Sequence, residues 1–184
     1  MRVVAGRAKG KTLKAVPGAT TRPITDRVKV ALFDILAPDL AGASLLDLFS
    51  GTGAVGIEAL SRGAARVVFL DREPEAIRTI HENLSRTGLT QGAQVVRTDA
   101  FRFLERRGVT PFDLIYVAPP QYQGLWREAL MRIDRQSDWL VPDGRAIIQI
   151  DPREMLPIEL SALQEVDRRR YGSTLLVFFE RPGG

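Results

Sequence analysis

From about residue 44 onward, short apolar runs alternate with stretches in which apolar residues return every three or four positions. The runs SLLDLF, RVVFLD, AQVVRTD, FDLIYV and RAIIQI begin at Ser44, Arg66, Ala93, Phe112 and Arg145 and have the length of buried strands. Between them, the segment from Pro74 sets Ile77, Ile80, His81 and Leu84 on one helical face, and Pro74 suits a first helical turn. That placement assigns His81, the sole histidine, to packing rather than to acid–base chemistry. A helix from Asp26 does the same with Val28, Ala31, Leu32 and Ile35, with Thr25 as its cap. Strand–helix alternation of this kind predicts βαβ units and a mostly parallel sheet.

The ends depart from that rhythm. EVDRRRYG and STLLVFFE meet at Tyr171-Gly172-Ser173, predicting a hairpin and hence an antiparallel strand at one sheet edge. RVVAG and KTLKAV, around Gly6 and Gly10, predict a small β extension before the core. No repeat or linker divides the 184 residues, so one unit is expected, with 1–25 as extension and loop and 26–184 as a Rossmann-like core.

Charge changes the picture more than composition does. Through residue 30 there are eight basic residues (Arg2, Arg7, Lys9, Lys11, Lys14, Arg22, Arg27 and Lys29) against Asp26 alone. With a net charge of +4, this basic arm sits on a slightly acidic body, as expected where one edge meets phosphates. Cysteine is absent, which excludes disulfides and thiolate metal sites and fits a reducing cytoplasm. No run has the length of a membrane span, and one histidine cannot build a metal cluster.

The candidate chemistry lies in DLFSGTGAVG, Asp47 to Gly56. Gly51 to Gly56 reads G-x-G-x-x-G, with Asp71 twenty positions beyond Gly51, a spacing that a dinucleotide site would also satisfy. Asp47 argues against that ligand, because a carboxylate at the strand end repels a pyrophosphate. S-adenosylmethionine has the opposite needs: its ammonium and sulfonium are cationic, and only its carboxylate suits the helix N-terminus near Gly53. Asp47 then accepts from the ammonium, Gly51 and Gly53 let the backbone approach, Asp71 takes ribose hydroxyls and Asp99 faces the adenine amine. Phe49, Arg72 and Ala100 complete the expected cofactor lining. For Asp47 and Asp99, helix capping is the plainer alternative.

The fourth strand runs into Ala118-Pro119-Pro120-Gln121-Tyr122. Two prolines after a buried strand make a stiff turn and leave carbonyls unpaired, able to orient an exocyclic amine. Tyr122 is placed to stack on a splayed base or, equally, to be a rim or core aromatic. Trp126 and Trp139 read as core.

LLDLFSGTGAVGIEALSRGA, the Asp-Ala after the third strand, the Pro-Pro turn and TRPITDRVKVALFDIL together resemble the RsmD family of bacterial 16S ribosomal RNA guanine-N2 methyltransferases. The likeness spans nearly the whole chain, from MRVVAGRAKGKTLK to the closing YGST. It implies a class I methyltransferase fold: a Rossmann-like, mostly parallel seven-stranded sheet with an antiparallel C-terminal hairpin strand. It also implies S-adenosylmethionine as donor, hence S-adenosylhomocysteine as product, and action on RNA of the small subunit or its assembly intermediate; methyl transfer of this kind requires no metal, and a cytoplasmic monomer is expected. Ala118, Pro119, Pro120 and Tyr122 fall at the family's catalytic motif, and Arg2, Arg7, Lys9, Lys11, Lys14, Arg22 and Arg27 become RNA contacts. The family motif is usually Asp-Pro-Pro-Tyr or Asp-Pro-Pro-Phe, whereas this chain has alanine at the first position and its tyrosine one place late. Three readings follow: other groups replace the lost carboxylate, the acceptor is different (a DNA base, protein or small molecule), or the chain binds cofactor and RNA without turnover.

Overall fold

The computed structural model describes residues 1–19 and 23–184. Its elements follow the order α1 (Asp26–Leu40), β1 (Ser44–Asp47), α2 (Ala54–Ser61), β2 (Arg66–Asp71), α3 (Pro74–Thr87), β3 (Ala93–Arg97), α4 (Ala100–Leu104), β4 (Phe112–Val117), α5 (Leu125–Arg135), β5 (Leu140–Ile150), β6 (Gln164–Tyr171) and β7 (Thr174–Glu180). The strands form one seven-stranded sheet in the order β3-β2-β1-β4-β5-β7-β6. β1 pairs in parallel with both β2 and β4, so the strand order reverses there, and the carboxyl ends of β1 and β4 form the switch point at which open α/β sheets take their ligands.

Alternation along the strands divides the core into two layers. Leu45, Val67, Phe69, Leu114, Tyr116 and Ile147 face α1, α2 and α3, and Val3, Ala8 and Leu13 of the N-terminal arm join that layer. Leu46, Val68, Ile115, Val117 and Ile148 face α4 and α5, where Trp126 and Trp139 are core residues as expected. Phe69 has no exposed surface, and truncating it to alanine would cost about 3–5 kcal/mol.

The C-terminal hairpin stands at one sheet edge as expected, with β6 outermost and antiparallel to β7, which is itself antiparallel to β5. Several other expectations need correction. β5 starts at Leu140, not Arg145; its pairing with β4 shifts register between Phe112 and Leu114, and this irregularity hid the early half from a pattern reading. His81 is exposed. The buried stripe of α3 is Ala76, Thr79, Ile80, Asn83, Leu84 and Thr87, because the buried polar Asn83 occupies a place that an apolar pattern cannot flag. On α1, Thr25 does cap, accepting from the Val28 N–H, but the buried face is Val28, Lys29, Leu32, Phe33, Leu36 and Leu40.

The β extension reduces to one antiparallel bridge between Arg2 and Thr12. Side chains dock the arm instead of a ladder. The Glu58 carboxylate, fully buried on α2, accepts from the Val4 and Ala5 N–H groups at 2.9 Å and from Arg62 Nε at 2.9 Å. Lys29 Nζ lies 3.3 Å from it and donates to the Arg2 carbonyl. Ser61 Oγ accepts from the Ala8 N–H and donates to the Ala5 carbonyl. Lys29 is therefore an internal counter-ion and not a cation available to a partner.

Candidate active site

The glycine loop joins β1 to α2. Gly51 and Gly53 have φ of 55° and 79°, the left-handed region that a side chain disfavours, and Gly53 is the N-cap of α2. Ser50 ties the loop to both central strands: its Oγ donates to the Asp47 carbonyl and accepts from the Leu70 N–H. Asp71 adds a second tie, one oxygen accepting from Gly51 N–H at 3.0 Å and the other from Glu73 N–H at 2.9 Å. Asn83 closes the loop from α3, donating to the Thr52 carbonyl at 2.9 Å while exchanging hydrogen bonds with the Lys14 backbone. Ser50 and Asn83 were not singled out as functional in the sequence: one looked like loop filling, the other like a polar position on an amphipathic helix.

Asp47 is the outlier. It is 1% exposed, and its Oδ1 is a buried polar atom with no hydrogen-bond partner among the described residues. Burial, with a smaller contribution from the charge of Asp71, raises its pKa from 3.8 to about 7. It caps no helix. An orphaned buried carboxylate at the switch point is a site made for a cation, and the ammonium of an amino-acid-like ligand fits it. The N-cap of α2 beside it is a glycine without a side-chain cap bond; Ala54 N–H donates to Thr52 Oγ1, and the rest of the first turn presents N–H groups for a carboxylate. Asp99 does cap: its Oδ1 accepts from Phe101 N–H at 2.9 Å and Arg102 N–H at 3.1 Å. Of the other expected lining residues, Phe49 is half-buried and packs edge-on to Phe101 at 6.2 Å, Ala100 is buried, and Arg72 is exposed and pairs with Glu73.

The acceptor side lies at the carboxyl ends of β4 and β5. Ala118, Pro119 and Pro120 are half-buried, and Tyr122 is 59% exposed with φ of 60°, strained for a bulky residue. Its strain is held by the turn after β5: the Tyr122 N–H donates to Glu154 Oε1 at 2.7 Å and its hydroxyl to Asp151 Oδ2 at 2.7 Å. Arg153 donates to the same hydroxyl and lies 5.6 Å from the ring centroid. Arg153 and the Tyr122 hydroxyl keep the Asp151 carboxyl well below the usual carboxylate range. The Asp151–Glu154 turn was missed in the sequence, although Asp-Pro-Arg-Glu after a strand is a legible capping-box pattern.

Of the expected RNA contacts, Arg2, Arg7, Lys9, Lys11, Lys14 and Arg27 are all exposed, and Arg22 lies outside the described residues. Arg2 pairs with Asp26 and Lys14 with Glu82, which weakens but does not cancel their outward charge.

A family model described as Conserved hypothetical protein 95 matches residues 1–180. The chain belongs to this family, the RsmD family. Among RsmD relatives, the ribosomal RNA small subunit methyltransferase D of Escherichia coli strain K12 is 33% identical over 85% of this chain and 78% of its own. The Bacillus subtilis protein YlbH is 39% identical over the full length of both chains. Among solved structures, yhhF of Escherichia coli superposes with a TM-score of 0.88 at 30% identity, covering 100% of this chain and 99% of the other. The fold is that of S-adenosylmethionine-dependent methyltransferases. It is shared, at 16% identity and a TM-score of 0.65 over 89% and 95% of the two chains, with an RNA methyltransferase from Salinibacter ruber solved with S-adenosyl-L-homocysteine.

Proposed function

We propose that this RsmD-family chain transfers a methyl group from S-adenosylmethionine to the exocyclic N2 of a guanine in 16S ribosomal RNA, acting as a monomeric cytoplasmic enzyme of one domain. The observation that carries the reading is Asp47, a buried carboxylate with an unpartnered oxygen at the switch point of a methyltransferase sheet. Asp47 would hold the donor's ammonium, the start of α2 its carboxylate, Asp71 its ribose hydroxyls, and Asp99, through the oxygen not used in capping, its adenine amine. Bound there, S-adenosylmethionine supplies an activated methyl on a sulfonium. The chain contributes position: it excludes water at Asp47, fixes the glycine loop and offers the Tyr122 ring beside the Pro119-Pro120 turn for a flipped base to stack on. The docked arm carries the cations that meet phosphates. Neutralising four of them should reduce the slope of log affinity against log salt by about three.

The deciding experiment incubates labelled S-adenosylmethionine and this protein with small subunits from a strain lacking it, then analyses the nucleosides. Label in N2-methylguanosine supports the proposal. Label in another product selects a different acceptor, and no label despite donor binding selects a non-catalytic assembly role.

A further inference from the structure

The alanine at position 118 leaves the acceptor motif without the side chain that would receive the target amine, and the neighbouring strand carries a replacement. β4 and β5 run in parallel with Tyr116 opposite Ile147 and Val117 opposite Ile148. The next step of that register brings Gln149 level with Ala118, on the same sheet face as Tyr116 and Asp47. Gln149 is half-buried, and its Oε1 accepts from the Tyr116 hydroxyl at 2.5 Å. Burial, and then the charge of Asp47, hold the Tyr116 phenol well above its ordinary pKa, so it stays a donor and fixes which end of the amide points where. One lone pair of Oε1 and both N–H groups of the amide remain unassigned within the described residues. Among the described residues, no charged side chain bonds to it.

Resting on the proposed amine methylation, we infer that Gln149 is the acceptor-side catalytic residue of this chain: its carbonyl oxygen receives an N–H of the target amine, anchored by Tyr116 and admitted by the small side chain of Ala118. The amide also donates, so it matches an amine beside a ring-nitrogen acceptor, the N2–H and N3 pair of guanine. With the amine so held, its nitrogen lone pair forms the N–C bond, the S–C bond breaks with its electrons staying on sulfur, and the excess proton of the methylated amine passes to water. An amide is no base, so Gln149 orients and does not deprotonate.

The test is single-turnover transfer to small subunits by Gln149→Ala, with donor affinity measured on the same preparation. Transfer should fall by about 100-fold, the scale of a misplaced reacting group, while the donor Kd stays within twofold. Adding Ala118→Asp to that variant should recover at least about tenfold, a carboxylate returning from the adjacent strand. A rate for Gln149→Ala within threefold of the parent overturns the inference, and so does a fall that Ala118→Asp leaves unrepaired. If Gln149→Ala fails to bind the donor, the isosteric Gln149→Glu decides: a rate within about tenfold of the parent supports the assignment, and a larger loss overturns it. Apart from turnover, guanosine monophosphate should shift the Gln149 side-chain amide resonances more than inosine monophosphate, which lacks the amine; equal responses overturn the assignment. Failure of the parent protein to methylate small subunits would instead defeat the proposed function, so the two failures are distinct.

Discussion

The two halves of the candidate site are built on opposite principles. Beyond β1 and β2, acids converge on a backbone loop, and the decisive group, Asp47, is buried and left without a partner for one oxygen. Beyond β4 and β5 the groups are already engaged with one another: Tyr122 is held by Asp151, Arg153 and Glu154, and Gln149 by Tyr116. The proposed donor half keeps, among the described residues, a buried carboxylate oxygen without a partner. The acceptor half stores its precision in hydrogen bonds made before anything binds. A cofactor that always has the same charges can be awaited by a bare carboxylate, whereas a large substrate needs a preset surface.

This contrast breaks most sharply at Asp47. Replacing it with alanine should weaken S-adenosylmethionine binding by about 100-fold or more, the scale of removing one partner of a buried charge pair, and leave affinity for small subunits unchanged. The same change should stabilise the apoprotein at pH 8. Because the folded pKa lies above the ordinary carboxylate value, protonated Asp47 contributes stability fully below about pH 3.8 and loses it as the pH rises through about 7. Calorimetric melting of parent and variant at pH 5 and pH 8 reads this directly: the variant's advantage should be clearly larger at pH 8 than at pH 5.

Tyr122→Ala should act in the other half alone, lowering turnover by about 30-fold, in the range of one lost base stack, with donor affinity intact. Tyr122→Phe separates the ring from its clamp. The ring survives but its bonds to Asp151 and Arg153 do not, so turnover should fall only about tenfold, the low end for a hydrogen bond to a charged group, and KM for small subunits should rise more than kcat falls. Equal losses in the alanine and phenylalanine variants would show that the hydroxyl, not the ring, matters.

The same division explains what could be read in the chain. The framework of the proposed donor half was legible because it is local: Asp47 and Asp71 close strands whose apolar runs are unmistakable, and the left-handed turns at Gly51 and Gly53 between β1 and α2 demand glycine. Asp99 was legible only as one of two roles, and the structure shows the capping one. Of the acceptor half only the turn from Ala118 to Tyr122 was legible; its contacts were not, because they join residues about thirty positions apart: Tyr122 to Asp151, and Tyr116 to Gln149. No period or motif marks such pairs before the register of β4 on β5 is known. The basic arm was half legible. Its charge was plain, but Lys29 turned inward because Glu58, a lone acid on the apolar helix α2, needs a counter-ion there.

The central claim is that Asp47 is kept unpaired for a cationic methyl donor, and calorimetric titration of S-adenosylmethionine between pH 5 and pH 7.5, in buffers of different ionisation enthalpy, tests it most directly. The account predicts that affinity rises by about tenfold per pH unit below pH 7 and levels off above it, with close to one proton released on binding at the acid end, and that NAD gives no heat. Donor binding that is flat with pH and releases no proton, or preferential binding of NAD, would contradict it.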